Sequence, residues 1–321
     1  TIIAPEKSQF RRDRVQGRDT MRIDFAVYDT YISAYFEEKV IEGVFVVNCR
    51  DNYRNPFKAV HGQDHRFTVL RKEPKADISG KWAVMFGKED EEPFPGIAEF
   101  KQDGNHLSGT FRTETGDYRF LEGTVQANKI YLSVFDGSHA FLFEALIKDD
   151  GTLSGTFHSG RHYITNWTAK RDPDFALKSP DEFTVMNEDI PLSFSFPDAN
   201  GTMVSLEDAK YEGKPKLIKI MGTWCPNCRE EAEFLKDYLA NNDTKDLEVI
   251  ALAFEQYGVE DERSKAVILR YEENMNVPWS VLLAGPSDKE ACPLYTSDAA
   301  DDLPRATLSA ASPLRLTLTC I

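Results

Sequence analysis

Two cysteines separated by two residues, Cys225 and Cys228 in Trp224-Cys225-Pro226-Asn227-Cys228, are the side chains of this chain best suited to chemistry. Thiol–disulfide exchange needs one sulfur ionised near neutral pH and a second poised to resolve the mixed disulfide. The first turn of a helix meets both needs. Its unpaired N–H groups and positive dipole end favour a thiolate, and can bring a cysteine from about 8.5 into the range of roughly 3.5–7.5. Pro226 sits where a first-turn proline is tolerated, and Cys228 falls on the same face of that turn. The spacing predicts Cys225 as the attacking thiolate, near the exposed end, and Cys228 as the resolving thiol. Trp224 is expected to shield the site and offer partners an apolar landing surface, with Pro226 and Asn227 shaping the turn. Glu231, one turn beyond Cys228, is placed to accept its proton. The competing chemistry for such a pair is half of a zinc site, which needs two more soft ligands at matching spacing. Cys292 has no partner pair and every histidine precedes residue 163, so neither a metal nor any other cofactor is expected.

The flanking elements suit exchange. An apolar strand is predicted over Lys216–Met221, then Gly222-Thr223-Trp224, then the dithiol, then an amphipathic helix over Cys228–Leu239 with Glu231 or Ala232, Leu235, Tyr238 and Leu239 on the buried side. Phe194–Leu206 reads as a hairpin turning at Asp198-Ala199-Asn200-Gly201. Leu247–Phe254 reads as a strand, Glu260–Glu273 as a charged helix and Trp279–Leu283 as a strand. Strands alternating with helices indicate βαβ units and a mostly parallel sheet.

Residues 1–172 carry a different pattern. Short runs (Met21–Val27, Gly43–Val47, Lys81–Phe86, Gly96–Gln102, Leu107–Thr113, Tyr118–Leu121, Ile130–Phe135, Phe141–Ile147, Leu153–His158 and Tyr163–Ala169) are separated by turn residues such as Asp136-Gly137 and Asp149-Asp150-Gly151. Such pairs tolerate the positive φ of tight hairpins. Leu107-Ser108-Gly109-Thr110-Phe111 returns as Leu153-Ser154-Gly155-Thr156-Phe157, as two equivalent strands of a meander would. So many strands need their edges closed. The fold class expected is therefore two-domain: an N-terminal all-β antiparallel barrel-like domain over 1–172, a proline- and acid-rich linker over 173–191, and a C-terminal α/β domain over 192–291.

At 321 residues, 41% hydrophobic, the chain can bury two cores. A net charge of −15 argues against nucleic acid as a partner, because no basic stripe is present to meet phosphate. No run approaches the roughly 20 apolar residues of a membrane-spanning helix. The chain opens at Thr1 rather than methionine, which leaves room for a signal or lipid anchor ahead of it. Five cysteines (Cys49, Cys225, Cys228, Cys292, Cys320) are too scattered for a disulfide scaffold. His61 with His65 and His158 with His162 sit in turn-like sequence and read as polar loop residues. Cys49 reads as a small core residue.

The segment Gly222-Thr223-Trp224-Cys225-Pro226-Asn227-Cys228-Arg229-Glu230-Glu231 resembles the active site of TlpA-like thiol–disulfide oxidoreductases, a thioredoxin-fold family of bacterial cell envelopes. Phe196-Pro197-Asp198 through Leu206 resembles the hairpin that opens such domains, and the resemblance spans about residues 192–290. It implies a reductase of disulfide-bearing proteins in the bacterial periplasm or cell envelope, fed by a membrane electron donor, and maps the family glutamate onto Glu231. Several features depart from the pattern. Proline follows the first cysteine instead of preceding the second. Lys219 stands six residues before Cys225, where ordinary thioredoxins carry a buried acid. The closing strands, helix and cis-proline loop of the fold are missing, so the domain is expected to be incomplete. Tyr295–Asp302 resembles translated adapter sequence, so the native frame is expected to end near Ala291, with 292–321 a non-native tail in which Cys292 and Cys320 have no function. A peroxidatic cysteine would follow a Pro-x-x-x-Thr-x-x-Cys run, which is absent. The alternative from another class is a ligand-binding β-barrel module with a subsidiary or inactive redox domain.

Overall fold

The computed structural model describes residues 9–15, 18–50, 52–63, 65, 67–68, 71–89, 91–118, 120–179, 182, 192–244, 246–287 and 314–318. The chain divides into two compact units. One comprises Thr1–Phe25 with Thr30–Lys178, the other Ala26–Asp29 with Ser179–Ile321.

In the first unit the strand-rich sequence forms two sheets. β1 (Gln9–Val15), β2 (Arg18–Phe25), β3 (Thr30–Glu37), β4 (Val40–Val47) and β5 (Arg54–Val60) make an open antiparallel meander. The barrel expected over 1–172 closes over Gly80–Arg171 alone. Its strands are β6 (Gly80–Phe86), β7 (Phe94–Asp103), β8 (His106–Thr113), β10 (Leu121–Gln126), β11 (Lys129–Phe135), β12 (Ala140–Ile147), β13 (Leu153–Ser159) and β14 (Tyr163–Arg171), with a two-residue β9 (Gly116–Asp117) hung on β8. Each strand pairs with the next, β10 pairs with β8, and β14 returns to β6, so no barrel edge is left open.

Eight strands enclose a space that side chains can fill, and here aromatic rings fill it. Phe86, Phe111, Phe143, Phe157 and Trp167 are all buried, with Phe111 stacked on Phe143 at 4.3 Å and Phe143 on Phe157 at 4.4 Å between centroids. The repeated Leu-Ser-Gly-Thr-Phe now has a physical reading. Leu107, Phe111, Leu153 and Phe157 point into the core. The glycines let the neighbouring backbone approach: a Cβ on Gly109 would stand 2.2 Å from the Glu99 carbonyl oxygen, and one on Gly155 1.8 Å from that of Glu144. Gly155→Ala is accordingly expected to destabilise the barrel by about 2–3 kcal/mol through forced strand separation, read as a lower urea midpoint.

The pattern also misplaced some elements. The strand expected over Tyr118–Leu121 lies at Leu121–Gln126. Gly123, within that strand, faces the carbonyl of Tyr131, where a Cβ would come within 1.8 Å. Cys49 is in the turn after β4, partly exposed rather than in a core. His158 lies in β13, 3.8 Å from Glu144, and His162 bonds with Arg50. Among the described residues no cluster is disposed to hold a metal ion, and no helix is long and apolar enough to cross a membrane.

The second unit carries the alternating strands and helices. A hairpin of β15 (Ser195–Pro197) and β16 (Met203–Ser205) precedes β17 (Lys216–Met221), α1 (Pro226–Asn241), β18 (Glu248–Glu255), α2 (Glu262–Met275) and β19 (Ser280–Pro286). The sheet order is β19-β18-β17-β20, all parallel. The last member, β20 (Leu314–Leu318), lies beside Lys216–Ile220, on an edge that the sequence pattern left empty. Its Leu-x-Leu-x-Leu alternation is the periodicity of a strand. The rest of the expected tail, with Cys292 and Cys320, lies outside the described residues, as does most of the expected linker.

Candidate active site

The dithiol sits where β17 hands over to α1. Cys225 is the N-cap, in extended conformation, and Pro226 opens the first turn. The Cys228 backbone N–H donates to the Cys225 sulfur at 3.1 Å, so a helix-terminal donor that would otherwise be orphaned is spent on that sulfur. The Cys225 N–H donates to the Gly222 carbonyl at 3.1 Å, closing the turn that leads in. Both thiols are free, and both residues are buried, Cys225 at 3% exposure and Cys228 at 0%. The expectation of an exposed Cys225 gives way to a dithiol lying beneath the surface.

Burial is the largest influence on each thiol. It pushes Cys225 well up, reinforced by the hydrogen bond and charge of Cys228. Against its own burial, Cys228 is held below the usual thiol value by the bond from Cys225 and by the Lys219 ammonium. The two titrate as a pair, in which the surroundings ease ionisation of Cys228 and hold back that of Cys225.

Lys219 and Glu231 meet beside the dithiol. Lys219, on β17, is fully buried. Its Nζ donates to the Cys228 carbonyl at 3.0 Å and pairs with the Glu231 carboxylate. Glu231 is thus engaged by a cation, and the buried position that carries an acid in thioredoxins here holds the opposite charge, neutralised from α1. Tyr271, on α2, completes this region: its hydroxyl is buried, and burial followed by the charges of the two thiols raises it.

Trp224 does not offer a landing surface. It is 8% exposed, packs over Gly222 and donates its indole N–H to the Phe254 carbonyl at 3.1 Å. Asn227 lies partly exposed in the first turn of α1, next to Pro226. On the same helix Ala232 and Leu235 are buried as expected, whereas Tyr238 is exposed and stacks on exposed Phe234.

The residue missed by sequence reasoning is Glu255, the last of β18. It is 2% exposed, and burial raises its carboxyl to about 7, with the Asp29 charge adding to the rise and the Thr223 bonds opposing it. Parallel pairing of Met221 with Ala253 brings the C-terminal ends of β17 and β18 side by side, and sites in parallel sheets gather at those ends. A charged residue closing an apolar run was the signal available.

No curated protein matches the chain. Among solved structures it is similar to a redesigned beta barrel, at 14% identity and a TM-score of 0.25, over 30% of this chain and 91% of that one. Residues 186–299, which contain the strand, the dithiol and its helix, match the model of the AhpC/TSA family, so this stretch is similar to thioredoxin-like proteins of thiol-based redox chemistry.

Proposed function

We propose that the chain is a thiol–disulfide oxidoreductase that reduces disulfides of protein substrates through Cys225 and Cys228. The observation that carries this reading is the pairing of two free thiols in the first turn of α1, with the Cys228 N–H directed at the Cys225 sulfur. A lone peroxidatic cysteine needs no such partner.

The reaction balances with these groups alone. The proton on Cys225 passes to Cys228, and the Cys225 thiolate, supported by the N-cap hydrogen bond, attacks one sulfur of the substrate disulfide. The substrate's other sulfur leaves as a thiolate and takes up a proton. Cys228 then loses its proton and attacks the Cys225 sulfur, releasing the second substrate thiol and leaving a Cys225–Cys228 disulfide. Two electrons have passed to the substrate, and an external dithiol must return them. Lys219 favours the thiolate on either sulfur, and the charge of its partner Glu231 opposes that at Cys228. Substrates in the bacterial periplasm or cell envelope, and a donor in the membrane, are the setting that fits the resemblance to envelope oxidoreductases.

Insulin reduction driven by dithiothreitol tests the reading, with consumption of hydrogen peroxide as the parallel assay. Precipitation of insulin chains well above the uncatalysed rate is expected, with little peroxide turnover. Peroxide turnover without insulin reduction would assign the site to the other branch of thiol chemistry. Neither activity would leave the filled barrel and its loops as the functional part.

A further inference from the structure

The loop that delivers Cys225 is held from the side by the end of β18. Glu255 accepts two hydrogen bonds from one residue: its Oε1 from the Thr223 backbone N–H at 2.9 Å, and its Oε2 from the Thr223 hydroxyl at 2.7 Å. The preceding residue, Phe254, accepts the Trp224 indole N–H through its carbonyl at 3.1 Å. The last two residues of β18 therefore hold the two residues that come before the dithiol, and Cys225 closes its own turn on Gly222 at 3.1 Å. Thr223, at 4% exposure, and Glu255 are both buried. Both oxygens of one carboxyl group meet the backbone N–H and the hydroxyl of a single residue, so what Glu255 supplies is a two-point hold on Thr223.

We propose that Glu255 is a positioning residue for the dithiol: its two-point grip on Thr223 sets the turn that fixes Cys225 at the N-cap of α1, with its sulfur on the Cys228 N–H. The inference rests on the oxidoreductase reading for its purpose, but the geometry it describes is testable without a substrate. Cys225 is covered at 3% exposure and burial holds its proton, so a loosened turn should appear in the intrinsic reactivity of Cys225.

The test compares the full chain with Glu255→Ala and Glu255→Gln. It follows iodoacetamide alkylation of each cysteine by mass spectrometry and the exchange equilibrium with glutathione, with circular dichroism as the check on folding. Glu255→Ala is expected to raise Cys225 alkylation about tenfold or more by uncovering its sulfur, to shift the glutathione equilibrium and to move Trp224 fluorescence to longer wavelength. Glu255→Gln can accept the N–H through its amide oxygen and meet the hydroxyl through its amide nitrogen, so it should stay within about threefold of the parent. Equal alkylation rates in Glu255→Ala and the parent overturn the proposal, as does a Glu255→Gln variant no closer to the parent than Glu255→Ala. Should Glu255→Ala fail to fold, Thr223→Val removes the hydroxyl bond alone; it should raise Cys225 alkylation by a smaller factor, and an unchanged rate would again reject the grip. Loss of insulin reduction in the parent, with the alkylation pattern as expected, would refute the function and leave the positioning role standing.

Discussion

Cys225→Ser is expected to bring insulin reduction down to the uncatalysed background, whereas Cys228→Ser is expected to stall the reaction as a stable mixed disulfide between Cys225 and its substrate. The asymmetry follows from the helix turn. Cys225 holds the N-cap and receives the Cys228 N–H, so its sulfur is the one whose thiolate the backbone supports. Without it no covalent intermediate forms. Cys228 is the deeper of two buried residues, at 0% exposure against 3% for Cys225, so a substrate is expected to meet the Cys225 sulfur first and the loss of Cys228 to remove only the resolving step. Non-reducing electrophoresis with a disulfide-bearing substrate should show the adduct in Cys228→Ser and in no other variant. The reverse pattern, with adducts on Cys225→Ser, would exchange the roles of the two sulfurs. That outcome has a basis in the resting charge distribution, which favours the thiolate on Cys228. The adduct experiment decides between the sulfur whose ionisation its surroundings favour and the sulfur that caps the helix.

Much of this arrangement was legible because it depends on neighbours in sequence. The dithiol, its first-turn proline and the flanking strand and helix are a local pattern, and Lys216–Met221 is a strand over the residues its apolar run marks. The echo of Leu107–Phe111 in Leu153–Phe157 likewise reported two equivalent barrel strands, because burial and close backbone approach impose the same residues twice. What was illegible depends on pairing across the chain. Glu255 meets Thr223 only because β17 and β18 run parallel in a particular register. Lys219 meets Glu231 only when α1 packs on the strand that leads into it. Trp224 turns inward because the Phe254 carbonyl is there to receive its N–H. Tyr238 stands exposed on α1, stacked on Phe234 one turn earlier. The N-terminal strands alternate throughout, yet alternation does not say where one sheet stops. Only the return of β14 to β6 shows that the barrel starts at Gly80.

The charge pair under the dithiol yields the second large effect. Lys219→Met should lower stability by about 3 kcal/mol, because it leaves the Glu231 carboxylate, mostly withdrawn from water, without its cation. Glu231 keeps some contact with solvent, at 15% side-chain exposure, which holds the cost near the lower end for a broken buried pair. Replacing both partners, as Lys219→Met with Glu231→Leu, should recover most of that loss, since a buried ion pair and an apolar pair of similar volume often differ little. Stability and chemistry then separate in the double variant. Lys219 favours the thiolate on both sulfurs, so its removal withdraws support from the reduced, ionised form. The disulfide form gains relative to it, and the dithiol becomes the stronger reductant, by about 30 mV for each tenfold change in the exchange constant. The sign in pH follows from both charges: loss of Lys219 moves the Cys228 ionisation up, loss of Glu231 offsets part of that rise, and the alkylation profile of the double variant shifts to higher pH by less than that of Lys219→Met. A double variant that regains stability but keeps the parent potential and alkylation profile would show that the two charges cancel at the dithiol and that the pair serves packing alone. A lowered potential with an upward-shifted profile would show that the buried lysine, standing where thioredoxins carry an acid, sets how strongly this dithiol holds its electrons.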